Sequence, residues 1–282
     1  MPEVELDPRW DWVVMPWGVG LQCQPLAGVA AHVFTTREPE LKSGLPGAEA
    51  GWDQLASALG VPAGRIVQLE QVHGRNVLVA GDGLRQPGAS GRWGAADAAV
   101  TRHGSLALSV SVADCVPALL ADRSSGAVAA VHAGWRGTCA GVAGAAIEAL
   151  ASAFGTRPSD VVVAIGPSIG PCCYRVGGEV EEAFGGVAAW QPFLANWLAP
   201  APPRPARRGI PGVDPAASGR RSRFLDTWTA NADQFATSGV PRGQIHVSGL
   251  CTSCYREVFH SYRVDGSHSG RMVGAIRPGC GR

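Results

Sequence analysis

Four short apolar runs, Ala96–Val100, Leu106–Val112, Val116–Ala121 and Ala127–His132, follow one another with links too short to hold a helix. Parallel neighbours need a crossover of a dozen or more residues. Adjacent pairs in this stretch are therefore expected to run antiparallel, which excludes a purely parallel, doubly wound sheet. Further β-branched runs at Val29–Thr35, Ile66–Leu69, Asn76–Val79, Val161–Ile165 and Ile245–Ser248 read as strands. Helix signals are fewer. An Ala-rich stretch runs from Thr138, the expected N-cap, to Phe154, with Gly155 as its stop. Asp226–Ser238 starts at an Asp cap and ends before Gly239, and shorter signals cover Gly51–Leu59 and Glu179–Phe184. The expected fold class is α+β, with mixed sheets carrying helices on their outer faces.

A chain of 282 residues is long enough to bury a large core without staples. Residues 1–282 are expected to form a single domain. Within it Pro200–Arg223, rich in Pro, Arg, Gly and Ala and without apolar period, is expected to be a surface insert. The net charge of +1 gives no basic field for nucleic acid. The N-terminal MPEVELDPRWDWVVM lacks the basic-then-apolar order of a signal peptide, and Asp114 interrupts the longest apolar tract, Leu106–Ala121. No span of about 20 apolar residues exists, so a cytoplasmic protein without a membrane partner is expected. The only lysine, Lys42, sits in a Gly/Pro-rich stretch without a phosphate-loop motif, which argues against lysine-centred chemistry.

Three segments put a metal-ligand type at a strand end beside Gly or Pro: Gln71-Val72-His73-Gly74, Ala113-Asp114-Cys115-Val116-Pro117 and His132-Ala133-Gly134-Trp135-Arg136-Gly137-Thr138. Strand ends beside turns are where functional side chains converge. His73, Cys115 and His132 make a two-His, one-Cys set of the kind a catalytic zinc uses, with the fourth position left to water or substrate. A histidine at a strand end is also commonly a hydrogen-bonded core group, and a cysteine in an apolar run a small hydrophobe. Gly166-Pro167-Ser168-Ile169-Gly170-Pro171-Cys172-Cys173-Tyr174 and the CxxC of Cys251 and Cys254 add four more cysteines. Adjacent cysteines are awkward as two corners of one tetrahedron, so these four are expected to be structural thiols without metal. Arg136, Arg263 and Arg271 each lie beside turn residues, as anion-binding arginines often do.

QVHG, ADCVPALLAD, VHAGWRGT, IGPSIGPCCYRVG, CTSC, and SYR followed by GRM occur in this order from about Val29 to Ile276. Together they resemble the YfiH-type purine nucleoside phosphorylases, also known as laccase-domain or polyphenol oxidase family proteins. The resemblance implies a sandwich of mixed sheets flanked by helices, similar to the catalytic domain of cytotoxic necrotizing factor. It implies metal ligation by His73, Cys115 and His132, with zinc as the ion and copper as the alternative. The activities it implies are release of the base from adenosine, inosine, guanosine or methylthioadenosine with phosphate, and deamination of adenosine. Its partners are a purine nucleoside and phosphate, and the chain is expected to be a monomer or homodimer. Asp114, Gln71 and Arg136 are the expected catalytic residues, and Arg37, Arg263 and Arg271 the expected substrate-binding ones. The family usually follows TTR with a GGVS-type loop and an SLNLG-like segment. Here Thr35-Thr36-Arg37 is followed by EPELKSGLPGAEAGWDQL.

Other chemistries use the same residues differently. A multicopper laccase draws on more histidines than the seven present, and on His-x-His pairs that this chain lacks. A single blue-copper site would add a weak Met ligand, and Met15 and Met272 are the internal candidates. A cysteine hydrolase, such as an amidase editing peptidoglycan precursors, would use Cys115 as nucleophile and His132 as base.

Overall fold

The computed structural model describes residues 2, 4–81, 91–204, 206 and 222–279. Its strands in chain order are β1 (Trp10–Met15), β2 (Gly18–Cys23), β3 (Ala30–Thr35), β4 (Ile66–Gln68), β5 (Val77–Ala80), β6 (Ala98–Thr101), β7 (Ala107–Val112), β8 (Val116–Asp122), β9 (Val128–Ala133), β10 (Val161–Ile165), β11 (Arg175–Val176), β12 (Leu198–Ala199), β13 (Arg223–Leu225), β14 (Ile245–Val247) and β15 (Met272–Pro278). One sheet has the order β1-β2-β3-β15-β7-β4, a second β14-β10-β8-β9-β6-β5, and a small third β11-β13-β12.

The two large sheets stack face to face. Leu108, Val110 and Val112 of β7 share a core with Leu119 and Ala121 of β8 and with Val128 and Ala130 of β9. The alternate residues of the second sheet, Val116, Ala118, Leu120, Ala129 and Val131, pack outward on Val142, Ala146, Ile147, Leu150 and Phe235, from the helices Val142–Phe154 and Thr227–Thr237. On the far side, Val33, Ala107 and Ala275 of the first sheet pack on Trp52, Leu55 and Leu59 of the helix Ala48–Leu59. The result is a helix–sheet–sheet–helix sandwich. Strands buried on both faces lose polar alternation, which explains why β8, VPALLAD, is apolar almost throughout and buried along its whole length.

The expected antiparallel pairing holds for β8 with β9, and β6 runs antiparallel to β9, which is not its neighbour in the chain. It fails for β7, which pairs with neither β6 nor β8. That strand crosses to the first sheet, antiparallel to β15 and parallel to β4. The link Ala113–Cys115 that carries the chain back between the sheets turns through Asp114 in the left-handed region, φ 84°. The expected helix from Thr138 also differs. A short helix, Trp135–Ala140, starts at Gly134, and Gly141 at φ 82° breaks it from Val142–Phe154. Gly155 does stop the second helix in the left-handed conformation, and Asp226 does cap Thr227–Thr237 by accepting from the Thr229 N–H. The expected insert leaves from β12 and returns at β13, which pair antiparallel. Within it, residues 205 and 207–221 lie outside the described residues. Among the described residues no helix is long and apolar enough to cross a membrane.

Candidate metal centre

The three predicted ligands converge at one end of the sandwich. His73 follows β4, Cys115 opens β8 and His132 lies near the end of β9. Their ligand atoms all lie within 4.8 Å of one another. Cys115 Sγ is 4.0 Å from His73 Nε2, and the two imidazoles meet edge to face with centroids 4.9 Å apart. His132 is buried, Cys115 half-buried and His73 exposed. Gly134 must lack a side chain here, because a Cβ would sit 2.9 Å from His73 Cδ2 and 3.1 Å from Cys115 Sγ.

A residue absent from the sequence reading organises this cluster. Asp97, 0% exposed at the entry to β6, accepts from His132 Nδ1 at 2.8 Å. It also accepts from the backbone N–H groups of His73 at 2.9 Å and Gly74 at 2.6 Å. The amide bonds hold His73 in its left-handed conformation, φ 61°. With Nδ1 of His132 donating to a carboxylate, Nε2 is left as the ligand atom, the usual arrangement behind a metal-bound histidine. Burial would raise the Asp97 carboxyl, but the bonds from His132, Gly74 and His73 hold it below its usual value. The signal was a lone carboxylate in the apolar run AADAAV, which has to find partners.

Burial would likewise raise the Cys115 thiol, yet His132 and His73 bring it down to about 6. Burial opposes charge on His132, and the Cys115 sulfur and Asp97 outweigh it and lift the imidazole to about 9. A thiolate and two histidines, one buttressed by a carboxylate, fit a borderline-soft, tetrahedral ion such as zinc. Neither Met15 nor Met272 lines the cavities at this cluster.

Two cavities meet at the triad. The larger, about 560 Å³, is lined by Leu41, Lys42, Ser43, Glu70, Arg92 and Arg271 among others, and reaches His73, Cys115 and His132. The smaller, about 300 Å³, is lined by Arg136, Arg263, Tyr174 and Asp114 and reaches His73 and Cys115. The segment after Arg37 that departs from the family pattern thus builds one wall of the larger cavity.

The remaining predicted residues divide. Arg136 stacks over Trp135 at 4.3 Å and Arg263 over Tyr174 at 5.4 Å, both in the smaller cavity. Arg271 lines the larger one and donates to the carbonyls of Ser269 and Gly270. Arg37 lines neither. Its guanidinium holds the Arg256 and Phe259 carbonyls. Gln71 pairs its amide with the backbone N–H and C=O of Ser111, both at 2.8 Å. Asp114 accepts from the Thr252 hydroxyl at 2.5 Å and the Arg263 N–H at 2.6 Å. Burial raises the Asp114 carboxyl, against these bonds.

A family profile described as multi-copper polyphenol oxidoreductase laccase matches residues 48–278. The chain belongs to this YfiH-type, laccase-domain family. It is 35% identical over 268 residues to the purine nucleoside phosphorylase YlmD of Geobacillus stearothermophilus, covering 89% of this chain and 91% of that one. It is 34% identical over 225 residues to adenosine deaminase RL5 of an unknown prokaryotic organism, covering 79% and 78%. The crystal structure of Bacillus licheniformis hypothetical protein YfiH superposes with a TM-score of 0.79 at 26% identity, covering 95% of this chain and 99% of that one. This member of the family keeps its two-His, one-Cys cluster open to both cavities.

Proposed function

We propose that the chain is a zinc-dependent purine nucleoside phosphorylase. The observation that carries this reading is the meeting of two unlike cavities at one three-ligand cluster. The larger offers apolar walls from Leu41, Leu69, Val112 and Tyr262 beside polar Glu70, Ser43 and Arg92, which suits a purine nucleoside. The smaller presents Arg136 and Arg263, whose stacked guanidiniums suit phosphate. In the reaction a phosphate oxygen bonds to C1′ of the ribose, and the C1′–N bond breaks with its electron pair going to the purine. Zinc held by His73, Cys115 and His132 would supply a Lewis-acid position with one open site. Asp114 positions Arg263 through the main-chain N–H, and Gln71 positions the end of β7 through Ser111. The relatives named purine nucleoside phosphorylase support the assignment. The relative named adenosine deaminase supports ammonia release from adenosine as a second activity of the same cluster.

Base release is expected to require phosphate and to yield ribose 1-phosphate. Arg136→Lys keeps the charge and loses the planar fork. It is expected to weaken phosphate saturation more than tenfold, about 1.4 kcal/mol or more. Unchanged phosphate dependence in that variant, with zinc still bound, removes Arg136 from the site.

One observation favours a second reading. Asp97, His132 and Cys115 form a line that also serves a cysteine nucleophile. His73 favours the metal reading, because a nucleophile–base pair has no use for a third ligand-type side chain whose backbone is fixed by Asp97. Activity that survives complete removal of metal by a chelator would restore the cysteine reading.

A further inference from the structure

Four cysteines gather in a second cluster, linked to the triad's segment through the Thr252–Asp114 hydrogen bond. Cys172, Cys173, Cys251 and Cys254 are all buried, and their sulfurs all lie within 4.8 Å of one another. Cys254 Sγ is 3.6 Å from Cys172 Sγ and 3.5 Å from Cys173 Sγ. A zinc tetrahedron with Zn–S arms of about 2.3 Å has S···S edges of about 3.8 Å, so the four sulfurs already approximate its corners.

The backbone is built to hold them there. Tyr174 N–H donates to the Gly170 carbonyl and Tyr255 N–H to the Cys251 carbonyl, closing a turn around each cysteine pair. A bridge between Ser168 and Cys251 aligns the two turns. The first turn brings both adjacent side chains to Cys254, so the two neighbouring cysteines can serve as two corners of one tetrahedron. Gly170 allows this turn to press on Trp228, where a Cβ would meet the ring at 2.6 Å. The Gly170 N–H also donates to Cys251 Sγ at 3.2 Å. A backbone donor aimed at a buried sulfur is how thiolate ligands are steadied behind a metal.

We propose that Cys172, Cys173, Cys251 and Cys254 bind a second, structural zinc ion, separate from the open centre and independent of the activity assigned to it. All four corners of this site are protein, so it offers no place for substrate. Its work is to clamp the two turns that deliver residues to the smaller cavity. One turn leads to Tyr174. The other carries Thr252, bonded to Asp114, and continues to Arg263.

Metal analysis of the full chain, purified under reducing conditions, tests this. Wild-type protein is expected to hold two zinc ions per chain, and Cys115→Ala one. The double variant Cys172→Ser/Cys254→Ser is expected to keep one. Since that variant can fail to fold, Cys115→Ala protein exchanged with cobalt supplies a second readout. It is expected to show an intense thiolate-to-cobalt charge-transfer band, although its open centre has no sulfur left. Zinc near zero in Cys115→Ala, absence of that band, or a disulfide among the four cysteines in peptide mass spectrometry would each overturn the proposal.

Discussion

The His73–Cys115–His132 cluster and the Cys172–Cys173–Cys251–Cys254 cluster draw on the same class of soft donors but are embedded in opposite ways. The first lies at strand ends where the two sheets part, and two cavities reach it. The second lies between two tight turns, all four residues buried. The first is supported by a charged residue, Asp97, which fixes one imidazole and the backbone of another. The second is supported by backbone, through the Gly170 N–H. Openness and a charged buttress suit a centre that must admit ligands. Closure and backbone support suit one that only holds loops. Asp114 joins the two, because it precedes Cys115 in sequence and accepts from Thr252 of the second cluster's turn.

The sharpest way to break this contrast is at the buttress. Asp97→Asn keeps the shape but replaces one carboxylate oxygen by an amide N–H₂, set either against the Gly74 N–H or against the His132 and His73 donors. Leaving buried partners uncompensated costs about 3–5 kcal/mol, and loss of such a supporting carboxylate lowers metal affinity about 10- to 100-fold. Urea unfolding and competition with a chromophoric chelator read the two effects. Unchanged zinc affinity would show that His132 needs no partner and that the open centre is organised otherwise.

A smaller effect is expected at the link between the clusters. Thr252→Val removes one donor to the half-buried Asp114 carboxylate while the Arg263 N–H remains. The cost is expected to be about 1–3 kcal/mol, with a raised KM for phosphate and zinc retained in full. A fall in zinc content equal to the loss in phosphate binding would mean that the link holds the metal rather than the anion cavity.

The same division decides what could be read from sequence. Runs such as β8 and β10 are legible as short, continuous apolar stretches bounded by turn residues. The edge strand β1, its neighbour β2 and the strand β15 escaped notice. β15, MVGAIRP, carries Gly and Pro, and its partners β3 and β7 lie far away in the chain. The crossing of β7 was hidden because link length constrains how neighbours pair, not which sheet a strand joins. His73 and Cys115 are 42 residues apart, so no local spacing unites them; ligand type at strand ends suggested the set, and the family resemblance supported it. Asp97 was visible as a carboxylate in an apolar run, but its partners are set by the fold. For the four cysteines the sequence suggested that adjacent residues are awkward as two corners of one tetrahedron. The turn at Gly170 reverses this, and a turn geometry of that kind is a tertiary fact.

The smallest effect concerns thiol chemistry in protein stripped of metal. Cys115, with its pKa brought to about 6 by the two histidines against burial, becomes a thiolate as pH rises through about 6. Its alkylation rate by iodoacetamide is therefore expected to climb through pH 6 and be level by pH 8, where an ordinary thiol, with pKa about 8.5, is still climbing. The advantage in absolute rate is modest, because a less basic thiolate is a weaker nucleophile. The larger ionised fraction and the reduced intrinsic reactivity leave about a two- to threefold gain at pH 7. Contacts with the neighbouring sulfurs, together with burial, act the other way on Cys251 and Cys173, raising both, so these positions are expected to stay unlabelled while the chain is folded. Peptide mass spectrometry resolves each site separately, including the half-buried Cys139, whose burial raises it. A Cys115 profile still rising at pH 9 would mean that His132 and His73 do not stabilise its thiolate. Labelling of Cys251 alongside Cys115 in folded protein would mean that the second cluster is open as well.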